Sequence, residues 1–312
     1  MFNDNRIDNT GNALNVINCA CEAEALQTGR KNKDELNAIV SRRVDISPDL
    51  MILDLVPDGW ELPDFTPGQY ATIGLAKSAK SAGSSMINIL PVMNDDQNKL
   101  IKRAYSIASG SRNKEYLQFY LRLVDGGSLT SKIWSLKTGD RVWLSPKIKG
   151  KFTLEEVPAD KNIVLIARGT GLAPYISMLR TISVRDAGRK IAVVHSARHS
   201  YDLAYRAELE TLQKECDNFT YIPLLSKPQE EPRIWKGHSG YVQKLWKERV
   251  VHERWGMNIT PGNTHVFICG NPDMICHSTV RPLLIFTGAL TLVAGAVGIV
   301  LASRQREKVV GT

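Results

Sequence analysis

Between residues 38 and 144 the apolar positions come in short runs. They are AIVSRRVDI (38–46), MILDLVP (51–57), QYATIGLA (69–76), then 101–108, LQFYLRLV (117–124) and 141–144. Each run has strand length and is rich in β-branched and aromatic residues, and Pro57-Asp58-Gly59 and Thr66-Pro67-Gly68 punctuate them. Almost no helical periodicity intervenes, so the pattern predicts an antiparallel β-barrel over residues 36–157. Residues 77–87, KSAKSAGSSMI, read as a loop.

The pattern changes near residue 158. NIVLIA (162–167), KIAVVHSA (190–197), FTYIPLLS (219–226) and HVFICG (265–270) read as short, largely apolar strands. PYISMLRTISV (174–184), DLAYRAELETLQKE (202–215) and a stretch around 241–250 carry helical spacing between them. Strands alternating with helices predict a parallel sheet covered on both faces, an α/β domain over 158–280.

The two ends differ. Residues 1–35 are polar and Asn-rich and predict an N-terminal extension, with no secretory leader. Leu283 to Ala302 carries no charge, and a helix of that length spans about 30 Å, the thickness of a bilayer core. It predicts a membrane helix within a segment 281–312 that ends in a short basic tail, a buried helix being the alternative. Arg304, Arg306 and Lys308 follow the run while only Arg281 directly precedes it, an order that the positive-inside rule disfavours for a cytosolic body.

Composition narrows the class. The net charge is +8 and 43% of residues are hydrophobic. That balance fits an acidic partner, but no aromatic–basic interleaving supports nucleic-acid binding. Five irregularly spaced cysteines exclude an iron–sulfur spacing of their own and fit free thiols.

Three stretches carry candidate chemistry. In IKRAYSIAS (101–109), Arg103 and Tyr105 share one face of a strand and Ser106 faces the other way. They hold a ligand or form an ordinary cross-strand surface pair. ARGTGLAP (167–174) joins the first α/β strand to a helix. Gly169 and Gly171 there allow close backbone approach to a phosphate, or simply a tight turn. CGNP (269–272) ends the last strand, where open α/β sheets bind ligands, although a buried structural cysteine is the plainer reading of Cys269 alone. His195, inside a buried strand, reads as structural.

In this order and separation the three stretches resemble the ferredoxin–NADP reductase superfamily, its compact bacterial branch most closely, over about residues 36–276. The resemblance implies an FAD barrel followed by an NAD(P) domain. Arg103 would pair with the FAD pyrophosphate, and Tyr105 would stack on the flavin or bond its ribityl chain. Ser106 would bond near flavin N5, where hydride arrives. VDGGSLTSKIW (124–134) resembles the second flavin segment, with Gly126, Gly127, Ser128 and Thr130 facing the phosphates. Gly169, Thr170 and Gly171 would receive the NAD(P) phosphates. Cys269 would lie against the nicotinamide, with Gly270, Asn271 and Pro272 at the same strand end. Ser226 and Lys227 stand where relatives carry a Ser-Arg pair for the 2′-phosphate. With Arg198 they favour NADP over NAD.

The implied activity is electron transfer between NADPH and ferredoxin or flavodoxin, in the cytoplasm, membrane-anchored if the apolar run inserts. Lys132, Lys137, Arg141, Lys147, Lys149 and Lys151 are a candidate docking face for such acidic carriers, or ordinary surface charge. One alternative is an NADH-dependent reductase component of an oxygenase or membrane electron chain. Another is a membrane-anchored flavin-binding module with impaired turnover, because the family's usual ending is absent after Pro272.

Overall fold

A computed structural model describes residues 35–82 and 98–270, together with the backbone of 289–294 and 300–304. The first half is antiparallel throughout. Its strands are β1 (Ala38–Ser47), β2 (Leu50–Pro57), β3 (Tyr70–Ala76), β4 (Leu100–Ser106), β5 (Leu117–Arg122) and β6 (Arg141–Leu144), in sheet order β4-β3-β6-β1-β2-β5. The two end strands approach each other through an Ile107–Phe119 bridge and an Ala108 N–H to Gln118 carbonyl bond of 2.7 Å. This curls the sheet around one core that includes Val40, Leu53, Ile73, Phe119 and Val142. A four-residue helix, α1 (Thr130–Ile133), buries Ile133 in that core.

The second half has β7 (Asn162–Arg168), β8 (Ile191–Ala197), β9 (Phe219–Leu225), β10 (His238–Ser239) and β11 (Thr264–Gly270). All pair in parallel, in the order β10-β9-β8-β7-β11. Successive β7 residues point to opposite faces, and each face is covered. Ile163 and Leu165 pack with α2 (Ala173–Thr181) and α3 (Arg206–Glu215), while Val164 and Ile166 pack with α4 (Val242–Lys247) and α5 (Val250–Trp255). The single helix expected around 241–250 is two, because Arg249 takes a left-handed φ of 58° at the junction. The expected helix from 202 begins only at Arg206, after a left-handed Tyr205 (φ 60°).

The membrane helix expected at 283–302 is not found. Residues 289–294 and 300–304 are instead strands β12 (Ala289–Ala294) and β13 (Val300–Arg304). β12 adds in parallel to β11, Val266 opposite Leu290 and Gly270 opposite Ala294, and β13 returns antiparallel to β12. Among the described residues no helix is long and apolar enough to cross a membrane. The physical reason is that a fully apolar run suits a doubly covered strand as well as a bilayer helix, and hydropathy alone does not separate them. The N-terminal 1–34, residues 83–97 and 271–288, the stretch 295–299 and the basic tail beyond 304 lie outside the described residues.

The two lobes share a core. Leu50, Ile52, Tyr120 and Phe152 from the barrel side pack with Leu172, Tyr175, Met178 and Phe267. Gly68 (φ +100°) is pressed so closely here that a Cβ would sit 1.9 Å from the Phe152 carbonyl oxygen and 2.6 Å from Met178 Cε. A polar network crosses the same seam. Arg180 of α2 forms a two-pronged pair with Glu208 at 2.7 Å each, and also donates to Gln118 Oε1 (2.8 Å) and the Ala108 carbonyl (3.2 Å). Gln118 donates on to Asp54 (2.8 Å), and the Tyr205 hydroxyl donates to Gln118 Oε1 (3.0 Å). Burial pushes the Asp54 carboxyl up, against the opposing pull of Gln118 and Arg42.

Two outcomes follow for stability. Arg180→Met leaves Gln118 and Glu208 without their charged donor and costs about 2–3 kcal/mol in urea unfolding, the scale of a charge-assisted bond network. His195 is fully buried, has the Tyr221 hydroxyl (3.3 Å) as its one side-chain hydrogen-bond partner among the described residues, and is held by desolvation at about 3 instead of 6.5. The unfolded chain binds a proton below 6.5 that the folded chain refuses until about 3. Stability is therefore lost as pH falls through that window, by up to about 1.4 kcal/mol per pH unit. Unfolding free energies of His195→Leu between pH 7 and pH 4 should lack this slope.

Candidate active site

β4 is an edge strand, hydrogen-bonded only to β3, with Tyr105 opposite Ala71 and Ser106 opposite Tyr70. Arg103 is exposed, donates to the Lys102 carbonyl (2.9 Å), and pairs with no carboxylate among the described residues. A fork-shaped cation with no carboxylate partner among the described residues suits an anionic ligand. Tyr105 packs partly against the barrel core, and burial pushes its phenol up to about 12, so it is a neutral ring and donor.

The segment after β5 turns tightly. Gly126 (φ +68°) needs glycine for its backbone, and a Cβ on Gly127 would meet Thr130 Oγ1 at 2.4 Å. The Thr130 hydroxyl is buried and bonded to Val124 N–H and carbonyl, both at 3.3 Å. Thr130 thus helps close the turn, while Ser128 is exposed.

In the α/β lobe, Gly169 to Leu172 form a 3-10 turn at the end of β7 that leads directly into α2. Gly171 is decisive, because a Cβ there would lie 2.3 Å from the Cys269 carbonyl oxygen and 3.0 Å from the Gly270 nitrogen. Only a bare backbone lets the glycine turn rest against the end of β11. The structure thus brings Gly169, Thr170 and Gly171 together with Cys269 and Gly270, more than ninety residues on in the sequence. Asn271 and Pro272 lie outside the described residues. Cys269 sits one residue before the end of β11, as expected. It is 3% exposed, among Phe267, Tyr175 and Leu172, and burial pushes its thiol up to about 12. Its thiol is therefore neutral at ordinary pH.

The strand with Arg103 and the glycine turn are joined within a few residues. Ser177 of α2 donates to the Ser109 carbonyl (2.7 Å), Arg180 to that of Ala108, and the Ser111 N–H donates to Thr181 Oγ1 (2.9 Å). Continuing β4 past Ser106 therefore leads directly onto the helix that the glycine turn starts.

Arg198, Ser226 and Lys227 also converge. Ser226 N–H donates to the Ala197 carbonyl (3.0 Å) and Lys227 N–H to that of Arg198 (3.2 Å), which ties the turns after β8 and β9 together. Of the candidate docking cations, Lys132 is buried and bonded to the Ala79 carbonyl, and Arg141 is exposed and pairs with Asp58. Lys137, Lys147, Lys149 and Lys151 are exposed.

Residues 165–279 match the family model of the oxidoreductase NAD-binding domain. A flavodoxin/ferredoxin–NADP reductase of Buchnera aphidicola subsp. Baizongia pistaciae is 30% identical over 212 residues, 68% of this chain and 76% of that relative. The chain belongs to the ferredoxin–NADP reductase family. The flavodoxin/ferredoxin–NADP reductase of Escherichia coli K12 is 27% identical over the same shares, 68% and 76%. A ferredoxin NADP+ reductase structure from Neisseria gonorrhoeae, with bound FAD and NADP, aligns with a TM-score of 0.65 at 22% identity, covering 81% of this chain and 92% of that one. That likeness is one of fold.

Within this family member, sequence reasoning missed the seam residues Ser177, Arg180 and Gln118, and also His199 and Glu230 beside Arg198. Gln118 alone left a local signal, a polar residue between the apolar Leu117 and Phe119 of LQFYLRLV. Gly171→Ala should force the turn off Cys269 and lower the rate of reduction by NADPH at least tenfold, while bound flavin is retained. Stopped-flow reduction and the visible spectrum of the purified protein check both halves.

Proposed function

We propose that this chain is an FAD-dependent oxidoreductase that moves electrons between NADPH and a ferredoxin or flavodoxin. Family membership supports the activity. The observation that carries it to particular residues is the seam: the Arg103–Ser106 strand and the Gly169–Leu172 turn hang from opposite ends of one set of hydrogen bonds to α2.

In this reading the barrel, residues 36–157, holds FAD, and residues 158–280 hold NAD(P). Arg103 takes the pyrophosphate, Tyr105 stacks or bonds along the flavin, and Ser106 lies near N5. Gly126, Gly127 and Ser128 offer backbone N–H groups and a hydroxyl to phosphate. Gly169, Thr170 and Gly171 receive the nicotinamide nucleotide, with Cys269 and Gly270 behind them and Asn271 and Pro272 continuing the strand end. Bound FAD supplies the ability to accept a hydride and to release electrons singly.

The protein's part is orientation. Holding donor and acceptor on one rigid seam replaces a bimolecular encounter with a fixed approach, the largest benefit that geometry alone confers. The apolar cluster around Cys269 keeps water from the strand end. No general base is needed, which agrees with the absence of a titrating role for the buried His195. The excess of cations, with Lys137, Lys147, Lys149 and Lys151 exposed, suits acidic carriers. A cytoplasmic setting goes with this reading, since NADPH must reach the site.

The test is spectral. The full chain should show flavin absorbance that bleaches on anaerobic addition of NADPH. Arg103→Ala should weaken flavin binding by about tenfold to a hundredfold, the scale of a charge-assisted phosphate contact. Unchanged flavin affinity in that variant would remove Arg103 from the site.

A further inference from the structure

The turns after β8 and β9 hold more than the three residues expected there. Glu230, at the end of the 3-10 turn Pro228–Glu230, reaches into the middle of them. Its Oε1 lies 3.2 Å from Lys227 Nζ, and its Oε2 lies 2.9 Å from His199 Nε2 and 3.4 Å from Arg198 Nη2. One carboxylate thus contacts every cationic group of the cluster. Its hydrogen bonds with His199 and Lys227 hold it down at about 2, so it is an anion at any working pH.

The carboxylate is also held in place. The next residue, Glu231, accepts from Ser200 N–H (2.7 Å) and Ser200 Oγ (2.5 Å), which fixes the 228–231 turn to the loop after β8. His199 is braced in turn, stacked on Tyr201 at 4.9 Å and bonded through Nδ1 to the Tyr201 hydroxyl at 2.9 Å. Swinging Glu230 out means breaking contacts with three partners at once.

This matters for the nucleotide. NADPH and NADH differ by one phosphate on the adenosine ribose, and nucleotide-binding α/β folds use cations for that phosphate and a carboxylate for the free 2′-hydroxyl. Here both kinds of group share one seat. A doubly charged 2′-phosphate approaching Arg198 and Lys227 meets Glu230 already on them and is repelled by it. A 2′-hydroxyl meets an acceptor.

Resting on the assignment of Arg198, Ser226 and Lys227 to the adenosine end, we propose that Glu230 is a specificity-determining residue: its carboxylate occupies the place of the 2′-phosphate and competes with it, so that the chain accepts NADH alongside NADPH. Lys227 and Arg198 supply attraction for the phosphate, and Glu230 sets how much of that attraction a phosphate receives. Specificity then comes from a repulsive element as much as from the attractive ones.

The experiment compares the wild-type chain, Glu230→Gln, Glu230→Ala and Lys227→Met. kcat/KM is measured for NADPH and NADH with ferricyanide as acceptor, and the binding of 2′-phospho-AMP and of 5′-AMP by calorimetry. The expected result is that both Glu230 variants raise the NADPH-to-NADH ratio about tenfold, and the preference for 2′-phospho-AMP by a similar factor, the scale of one removed like charge near a partly exposed site. Lys227→Met lowers both. If Lys227→Met lowers the ratio while neither Glu230 variant raises it, the seat is right and the competition is refuted. If no variant moves either ratio, the cluster is not the adenosine seat, and the inference falls with that assignment.

Discussion

The seam around Arg180 is the constraint on which the rest of the molecule depends. One guanidinium on α2 binds Glu208 of α3, Gln118 of β5 and the carbonyl of Ala108 just beyond β4. It therefore ties the first helix of the α/β lobe to both end strands of the barrel. The ring of Tyr205 lies under the same guanidinium at 5.3 Å and meets Tyr120 edge-on at 5.7 Å. Tyr205 holds a left-handed backbone conformation to do so, a strain of about 1–2 kcal/mol that the surrounding contacts must outweigh.

This arrangement explains why the chemistry-bearing stretches sit where they do. The strand with Arg103, Tyr105 and Ser106 stands at the end of the sheet order, with one ladder partner, β3, among the described strands. Its continuation is clamped to α2 within three residues, at Ser109. α2 in turn begins at the glycine turn that rests on Cys269 and Gly270. The path from one binding stretch to the other is short, covalently continuous in parts, and closed by hydrogen bonds between groups that are fully buried, such as Ser177. Hydride transfer demands that kind of rigidity, because small misplacements of the reacting atoms are costly in rate. Cys269 contributes by filling space under the turn.

The parallel sheet extends past the strand that carries CGNP. β12 continues it in parallel beside β11, and β13 closes it antiparallel to β12. The mismatch between the charge order around 283–302 and a membrane helix has a simple resolution here, since a strand in a sheet obeys no positive-inside rule.

The local periodicities were legible in the sequence. Short runs rich in β-branched and aromatic residues, punctuated by Pro and Gly turns, marked the barrel strands from Ala38 to Leu144, and short apolar runs between helical stretches marked β7, β8, β9 and β11 to within a residue or two. The glycine turn after β7 and the CGNP end of β11 were legible too, because a strand end and a glycine are properties of a few consecutive residues. What only the tertiary structure decided were pairings between distant polar atoms: Arg180 with Gln118 across 62 positions, Ser177 with Ser109 across 68, and Glu230 with His199 across 31. Thr130 and Cys269 carried the right residue types, but their burial depends on neighbours that no local window contains. The run at 283–302 is the plainest case. Its hydropathy does not separate a membrane helix from a strand, and only the pairing with β11 showed residues 289–294 to be a strand.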